Sequence, residues 1–218
     1  RDELPYLLDP AASPPARVSA SDGLIAAMLF FMLQTLALIL LKATSVAPLA
    51  QAAIASGAAG ALTYALLRLV YWRARTAGVP HIRQGRQPWR RGATGAAMAV
   101  LFGIGYAALS PPAAPLPDVL SWNGLWLLAA GVLAAPLCEE FLFRGLLQGG
   151  LRRSLPAWQA IGIAAALFAI VHPPAAMLPV FVLGLCTGYA YERSGALLAP
   201  MLTHALYSAA MLGYQMNR

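Results

Sequence analysis

The sequence predicts an all-α fold, a polytopic bundle of about seven transmembrane helices, and three observations carry that prediction. Of its 218 residues, 60% are hydrophobic and only 11% charged, with a mean hydropathy of +0.65. Soluble domains run near one-quarter charged, so this composition excludes both an ordinary soluble globule and a disordered chain. The apolar residues gather into runs suited to a bilayer, roughly 23–43, 47–71, 93–110, 124–151, 157–172, 175–192 and 196–214. Fifteen basic against eight acidic residues give a net charge of +7. The basic residues fall between the runs, where they set membrane orientation rather than bind nucleic acid.

Residues 1–22 are polar and dotted with Pro5, Pro10, Pro14 and Pro15, the pattern of an extramembrane arm. The run after it is too long for a secretory signal peptide and lacks a small-residue cleavage pattern. Between the second and third runs, 73–91 holds Arg73, Arg75, Arg83, Arg86, Arg90 and Arg91 and no acid, which places that loop in the cytoplasm. Alternation then puts the N-terminal arm, Arg152, Arg153 and Arg193 inside. Loop 111–123, with Asp118 and no base, falls outside with the C-terminus. Trp122 and Trp126 mark the outer interface; Trp72, Trp89 and Trp158 mark the inner one. Residues 23–120 read as an N-terminal group of transmembrane helices and 121–218 as a second helix bundle. The i, i+4 pairs Gly145/Gly149 and Gly184/Gly188 predict close helix approach. Cys138 and Cys186 lie within apolar runs and read as buried free thiols.

Most acids sit in loops, in the arm or at a helix end. Glu139 and Glu140 alone lie within a run, in APLCEEFLFRGLL. A charge at membrane depth costs about 2.5–3.5 kcal/mol on insertion scales, so two adjacent acids need a reason. Glu140 and Arg144 are four apart and can pair on one helix face. Glu139 lies about 100° round the helix, away from Arg144. It is left without a local partner, a state suited to general acid–base work. The same two acids also fit an inert buried ion-pair network.

Of three histidines, His81 lies in the arginine-rich loop and reads as solvated. His172 ends LFAIVHPP, with Phe168 one turn earlier to pack on its ring, and His204 sits in PMLTHALYSAAM with Ser208 one turn later. A lone buried histidine is usually a satisfied core residue; two of them beside a buried Glu-Glu pair predict a shared polar site. Carboxylate and imidazole can hold and deprotonate a water, while a second imidazole and a hydroxyl stabilise an oxyanion. That chemistry is amide hydrolysis inside a membrane cavity. Counting 1.5 Å per residue places Glu139 and His204 in the inner half of the bilayer and His172 nearer the outer end of a short helix that stops at Pro173-Pro174; tilt, or a deeper start of that helix, would bring the three together.

Glu139-Glu140-Phe-Leu-Phe-Arg144, then Phe168-Ala-Ile-Val-His172, then His204-Ala-Leu-Tyr-Ser208 resembles the CPBP intramembrane proteases, also called the Abi or CAAX prenyl-protease type 2 family. Their pattern is EExxxR, FxxxH and HxxxN or HxxxD on successive helices, and the likeness spans roughly 124–214. It implies that Glu139 activates a water with His172 as partner, that Glu140 and Arg144 support the site, and that His204 stabilises the oxyanion. Ser208 stands where the family has Asn or Asp, and its hydroxyl donates over a shorter reach. Two Glu and two His also form a donor set that zinc accepts, although there is no HExxH and the resemblance implies a metal-free glutamate mechanism.

The function expected is an intramembrane endopeptidase acting on a hydrophobic or membrane-anchored peptide, with the lipid bilayer as its other partner and no cofactor required. A catalytically inactive relative serving bacteriocin immunity or scaffolding is the alternative. A proton-coupled transporter is a third, disfavoured by the lack of internal repeats. The alanine- and arginine-rich composition points to a bacterium, hence to its inner membrane.

Overall fold

In a computed structural model, the structure describes residues 18–73, 82–83, 85–111, 116–118 and 120–217. The arm through residue 17, and Arg75 and His81 of the arginine-rich loop, lie outside the described residues. The described residues form a bundle of seven helices: α1 (Ala20–Leu41), α2 (Pro48–Arg73), α3 (Pro88–Leu109), α4 (Trp122–Leu151), α5 (Ala157–Ile170), α6 (Met177–Ser194) and α7 (Leu198–Met216). Five are long and apolar enough to cross a bilayer: α1 to α4, and α6 with the short 3-10 turn Pro174–Ala176 that leads into it.

Local chemistry sets the helix ends. Ser19 opens α1 with a capping box: its Oγ accepts from the Asp22 amide at 3.3 Å, while Asp22 Oδ2 accepts from the Ser19 amide at 2.7 Å. Ser121 caps α4 by accepting from the Gly124 amide at 3.1 Å. Pro88 starts α3, where a missing N–H costs nothing. Gly195, at φ +69°, ends α6 in the left-handed region that glycine tolerates.

α1 turns Ile25, Met28, Met32, Ile39 and Leu40 outward, an apolar face suited to lipid tails. Its other face packs on α2 and α4. A Cβ at Gly23 would come within 2.6 Å of the Leu147 backbone, and one at Gly150 equally close to Ser19 O. Here α1 and α4 meet backbone to backbone. The expectation for Gly149 is corrected: a Cβ there would meet nothing closer than the Arg144 carbonyl at 3.7 Å. Gly184 and Gly188 do admit close neighbours, Ala165 and Ile161 of α5, each about 2.9 Å from an added Cβ.

Two features position the polar residues. α4 is not a uniform α-helix: Ala129–Ala134 and Phe141–Gln148 are π-helical, bracketing Ala135–Glu140. Such i→i+5 stretches concentrate at functional sites. α5 has only 14 residues, a rise of about 21 Å against a hydrocarbon core of about 30 Å. It starts at the end bearing Arg152 and Arg153 and stops before Pro173-Pro174.

Candidate active site

Side chains from three helices meet around one buried ring. Phe168 of α5 has the His172 ring 4.8 Å away at 72° and the His204 ring of α7 5.9 Å away at 74°. The Arg144 guanidinium carbon of α4 lies 4.5 Å over its face. The depth count is thus corrected: His172 does not stand apart from His204. α5 has only 14 residues, so its end need not lie a full bilayer thickness from its start. The wide π turns of α4 also rise less per residue than the count assumes.

Glu140 is the junction of the buried charges. Its Oε2 lies 3.0 Å from Arg144 Nε, with neither side chain exposed, as the i, i+4 spacing predicts. Its Oε1 lies 2.8 Å from His204 Nδ1, a contact across 64 positions that no local spacing foretells. Arg144 Nη2 donates to the Gly184 carbonyl at 3.2 Å. One carboxylate therefore joins a guanidinium on its own helix to an imidazole on another. Such partners are what make buried charge tolerable.

His172 just follows α5. Its amide donates to Ala169 O at 3.0 Å and its Nδ1 to Phe168 O at 2.8 Å, satisfying carbonyls that the helix end leaves free. A carbonyl only accepts, so Nδ1 carries the hydrogen and the neutral ring keeps a lone pair at Nε2. His204 is likewise engaged through Nδ1. In both rings Nε2 is the nitrogen left for a water or a substrate.

Glu139 has no ion pair among the described residues, and its Oε2 is buried without a hydrogen-bond partner. Glu139 directly precedes Glu140, the acid that holds His204. Ser208 is half-buried one turn beyond His204 and makes no side-chain hydrogen bond among the described residues. Its neighbour Tyr207 turns towards α3, where a Cβ on Gly103 would come 2.7 Å from its ring. Cys138 and Cys186 are free thiols, the second buried.

Sequence reasoning overlooked a ladder between α4 and α6. Arg144 reaches Gly184 O at 3.2 Å, Gln148 Nε2 reaches Gly188 O at 3.0 Å, and Arg152 Nε holds Glu192 Oε1 at 2.9 Å, every rung spanning 40 positions. A constant offset means that the two helices run parallel in fixed register. The signal was available: Glu140, Arg144, Gln148 and Arg152 recur every fourth residue along one face of an otherwise apolar helix. Gly184 and Gly188 let the polar ends arrive, since a Cβ would stand 3.2 Å from Arg144 Nη2 and 2.9 Å from Gln148 Oε1.

Among the described residues, no three His, Cys, Asp or Glu side chains gather into a metal-ligand cluster. No residue set is therefore assigned to zinc. The chemistry on offer is a carboxylate with one buried, unbonded oxygen, next in sequence to the acid that holds His204, and two oriented imidazoles.

A family model described as Rce1-like, type II CAAX prenyl endopeptidase, matches residues 121–210. That stretch holds all three motifs. An Escherichia coli protein described as an uncharacterized 24.3 kDa protein is 33% identical over 162 residues, covering 66% of this chain and 72% of that one. No solved structure matches.

Proposed function

This chain belongs to the Rce1-like family of type II CAAX prenyl endopeptidases, and from that premise we propose that it hydrolyses a peptide bond in a hydrophobic or membrane-tethered substrate with a water activated by Glu139 and His172. Residues 121–218 form the catalytic part, and the arginine-rich end faces the cytoplasm of a bacterial inner membrane.

In this reading Glu139 takes a proton from a water whose other hydrogen is held by His172 Nε2. The water oxygen adds to the substrate's carbonyl carbon, and the carbonyl oxygen takes up the negative charge. His204 offers Nε2–H to that oxygen, a role that requires hydrogen on both ring nitrogens, with Glu140 engaging the one at Nδ1. The Ser208 hydroxyl, one turn along, is the second donor. Collapse breaks the C–N bond, and Glu139 passes its proton to the leaving nitrogen. The products are a carboxylic acid, which keeps the water's second hydrogen, and an amine, and that last proton moves from acid to amine as they leave as carboxylate and ammonium.

The observation that carries the reading is the gathering of His172, His204 and Arg144 on the Phe168 ring beside a carboxylate with an unpartnered oxygen. The test compares membrane proteomes of cells with and without the gene. A peptide terminus present only with the gene, restored by the wild-type protein and not by Glu139→Gln, supports it. Ser208, in place of an amide or acid, favours one second reading, an inactive relative acting in bacteriocin immunity or scaffolding. A cellular phenotype rescued equally by wild type and Glu139→Gln, with no altered terminus, would select that reading instead.

A further inference from the structure

We propose that the arginine-rich end of the bundle binds a phosphate anion, carried by a lipid headgroup or free, in a cavity between the N-terminus of α3 and the C-terminus of α6. The cavity holds about 800 Å³ and is lined by Arg86, Gln87, Arg91, Glu192 and Arg193, with the turn at Ser194 and Gly195. Its one acid, Glu192, is already paired with Arg152 at 2.9 Å. Among the described residues, Arg86, Arg91 and Arg193 make no ion pair. Three uncompensated guanidiniums around one concave space repel one another, and an anion relieves that repulsion while receiving planar donor pairs.

The walls are built rather than incidental. The Arg86 amide donates to Ser194 O at 2.7 Å and the Leu198 amide to Ile82 O at 2.8 Å, fixing the loop to the α6–α7 turn. A Cβ at Gly85 would come 2.7 Å from the Ala196 Cβ, so only glycine lets the loop lie this close. Gln87, on the cavity wall, sits at φ +48°, the one non-glycine residue with positive φ among those described. Backbone strain of this kind collects at ligand clamps. Gln87 also leaves the first turn of α3 without a side-chain cap, so free N–H groups face the same region.

Depth identifies the carrier favoured here. Trp89 and Trp158 are 62% and 72% exposed at this end of the bundle, the placement of interfacial anchors. The cavity then lies at headgroup level, where basic pockets between helices recognise anionic lipid.

The test uses the full chain in phosphatidylcholine nanodiscs, with phosphatidylglycerol added in one arm and inorganic phosphate in another, and reads thermal unfolding. Phosphatidylglycerol is expected to raise the melting temperature. Arg86→Gln, Arg91→Gln and Arg193→Gln together should remove the shift, each change raising the half-saturating lipid fraction about fivefold. Arg90→Gln, beside the cavity but outside its lining, should keep the shift. Inorganic phosphate reproducing the shift and competing with the lipid would support the site and make free phosphate the source. If the triple variant fails to fold, Arg193→Gln alone must still show its fivefold weakening. No shift with either ligand, a full shift in the variant, or equal loss in Arg90→Gln overturns the proposal.

Discussion

His204 Nδ1 lies 2.8 Å from Glu140 Oε1, so the imidazole of α7 is oriented by the carboxylate that also holds Arg144 at 3.0 Å. This contact divides the labour of two adjacent acids. Glu140 is engaged on both oxygens, by an ion pair with Arg144 and a hydrogen bond with His204, whereas Glu139 has no ion pair among the described residues.

Glu139→Gln should abolish proteolysis and leave the protein folded. The amide fills the same space and strands no partner, because Glu139 has no ion pair to lose among the described residues. Substrate cleavage and thermal unfolding, measured on the same preparation, check both halves. Retained cleavage would remove Glu139 from the mechanism.

Glu140→Gln should instead lower stability first. It strands Arg144, fully buried, and frees the His204 ring that Glu140 orients. Removing one partner of a buried pair costs about 3–5 kcal/mol. Denaturant or thermal unfolding in detergent should place this variant well below Glu139→Gln. The reverse order of stabilities would exchange the two assignments.

Gly184→Ala tests the α4–α6 register. The added Cβ would lie 2.9 Å from the Ala165 Cβ and 3.0 Å from its Cα, and backbone yields less readily than a flexible side chain. Overpacking of this kind costs roughly 1–3 kcal/mol. The Cβ would also stand 3.2 Å from Arg144 Nη2, so the rung to the Gly184 carbonyl loosens with it. A lowered melting temperature with reduced turnover is expected; Gly149→Ala, which meets nothing tight, should leave both unchanged.

The Glu140–Arg144 pair was legible because its geometry is local: four residues on one helix decide it. Five of the seven helices were legible because a bilayer demands long apolar runs, and the other two because their shorter stretches are still apolar. His204 bonding Glu140 was not, since a contact across 64 positions depends on how helices pack. That His172 and His204 flank one ring was not legible either, because a uniform rise does not hold for a helix with two π stretches, and a 14-residue partner can start at any depth. Gln148 continues the four-residue polar stripe, but an uncharged amide in an apolar run demands no partner as strongly as an ion does.

Orientation rests on the arginine-rich loop. A reporter fused after residue 85 should behave as cytoplasmic and one fused at residue 116 as external. The structure puts Arg86, Arg91, Arg152 and Arg193 at one end of the bundle through the loop's bonds to the α6–α7 turn and the Arg152–Glu192 pair, so all four share a compartment. Opposite reporter behaviour would invert the whole assignment at once.

Ser208 tests the oxyanion. It follows His204 by one turn, is half-buried, and spends its hydroxyl on no partner among the described residues. A donor that acts only when charge develops on the carbonyl oxygen raises turnover without tightening substrate binding. Ser208→Ala should therefore lower kcat by about 10²–10³ and leave KM little changed. Ser208→Asn should retain or raise activity, since an amide reaches further from the same turn. His204→Ala should be at least as damaging, because it removes a donor and leaves Glu140 with one partner instead of two. If Ser208→Ala is fully active while His204→Ala is dead, the oxyanion rests on His204 and a backbone donor, Tyr207 being turned towards Gly103. If neither change alters cleavage, this helix is not catalytic, and the immunity or scaffold reading takes its place.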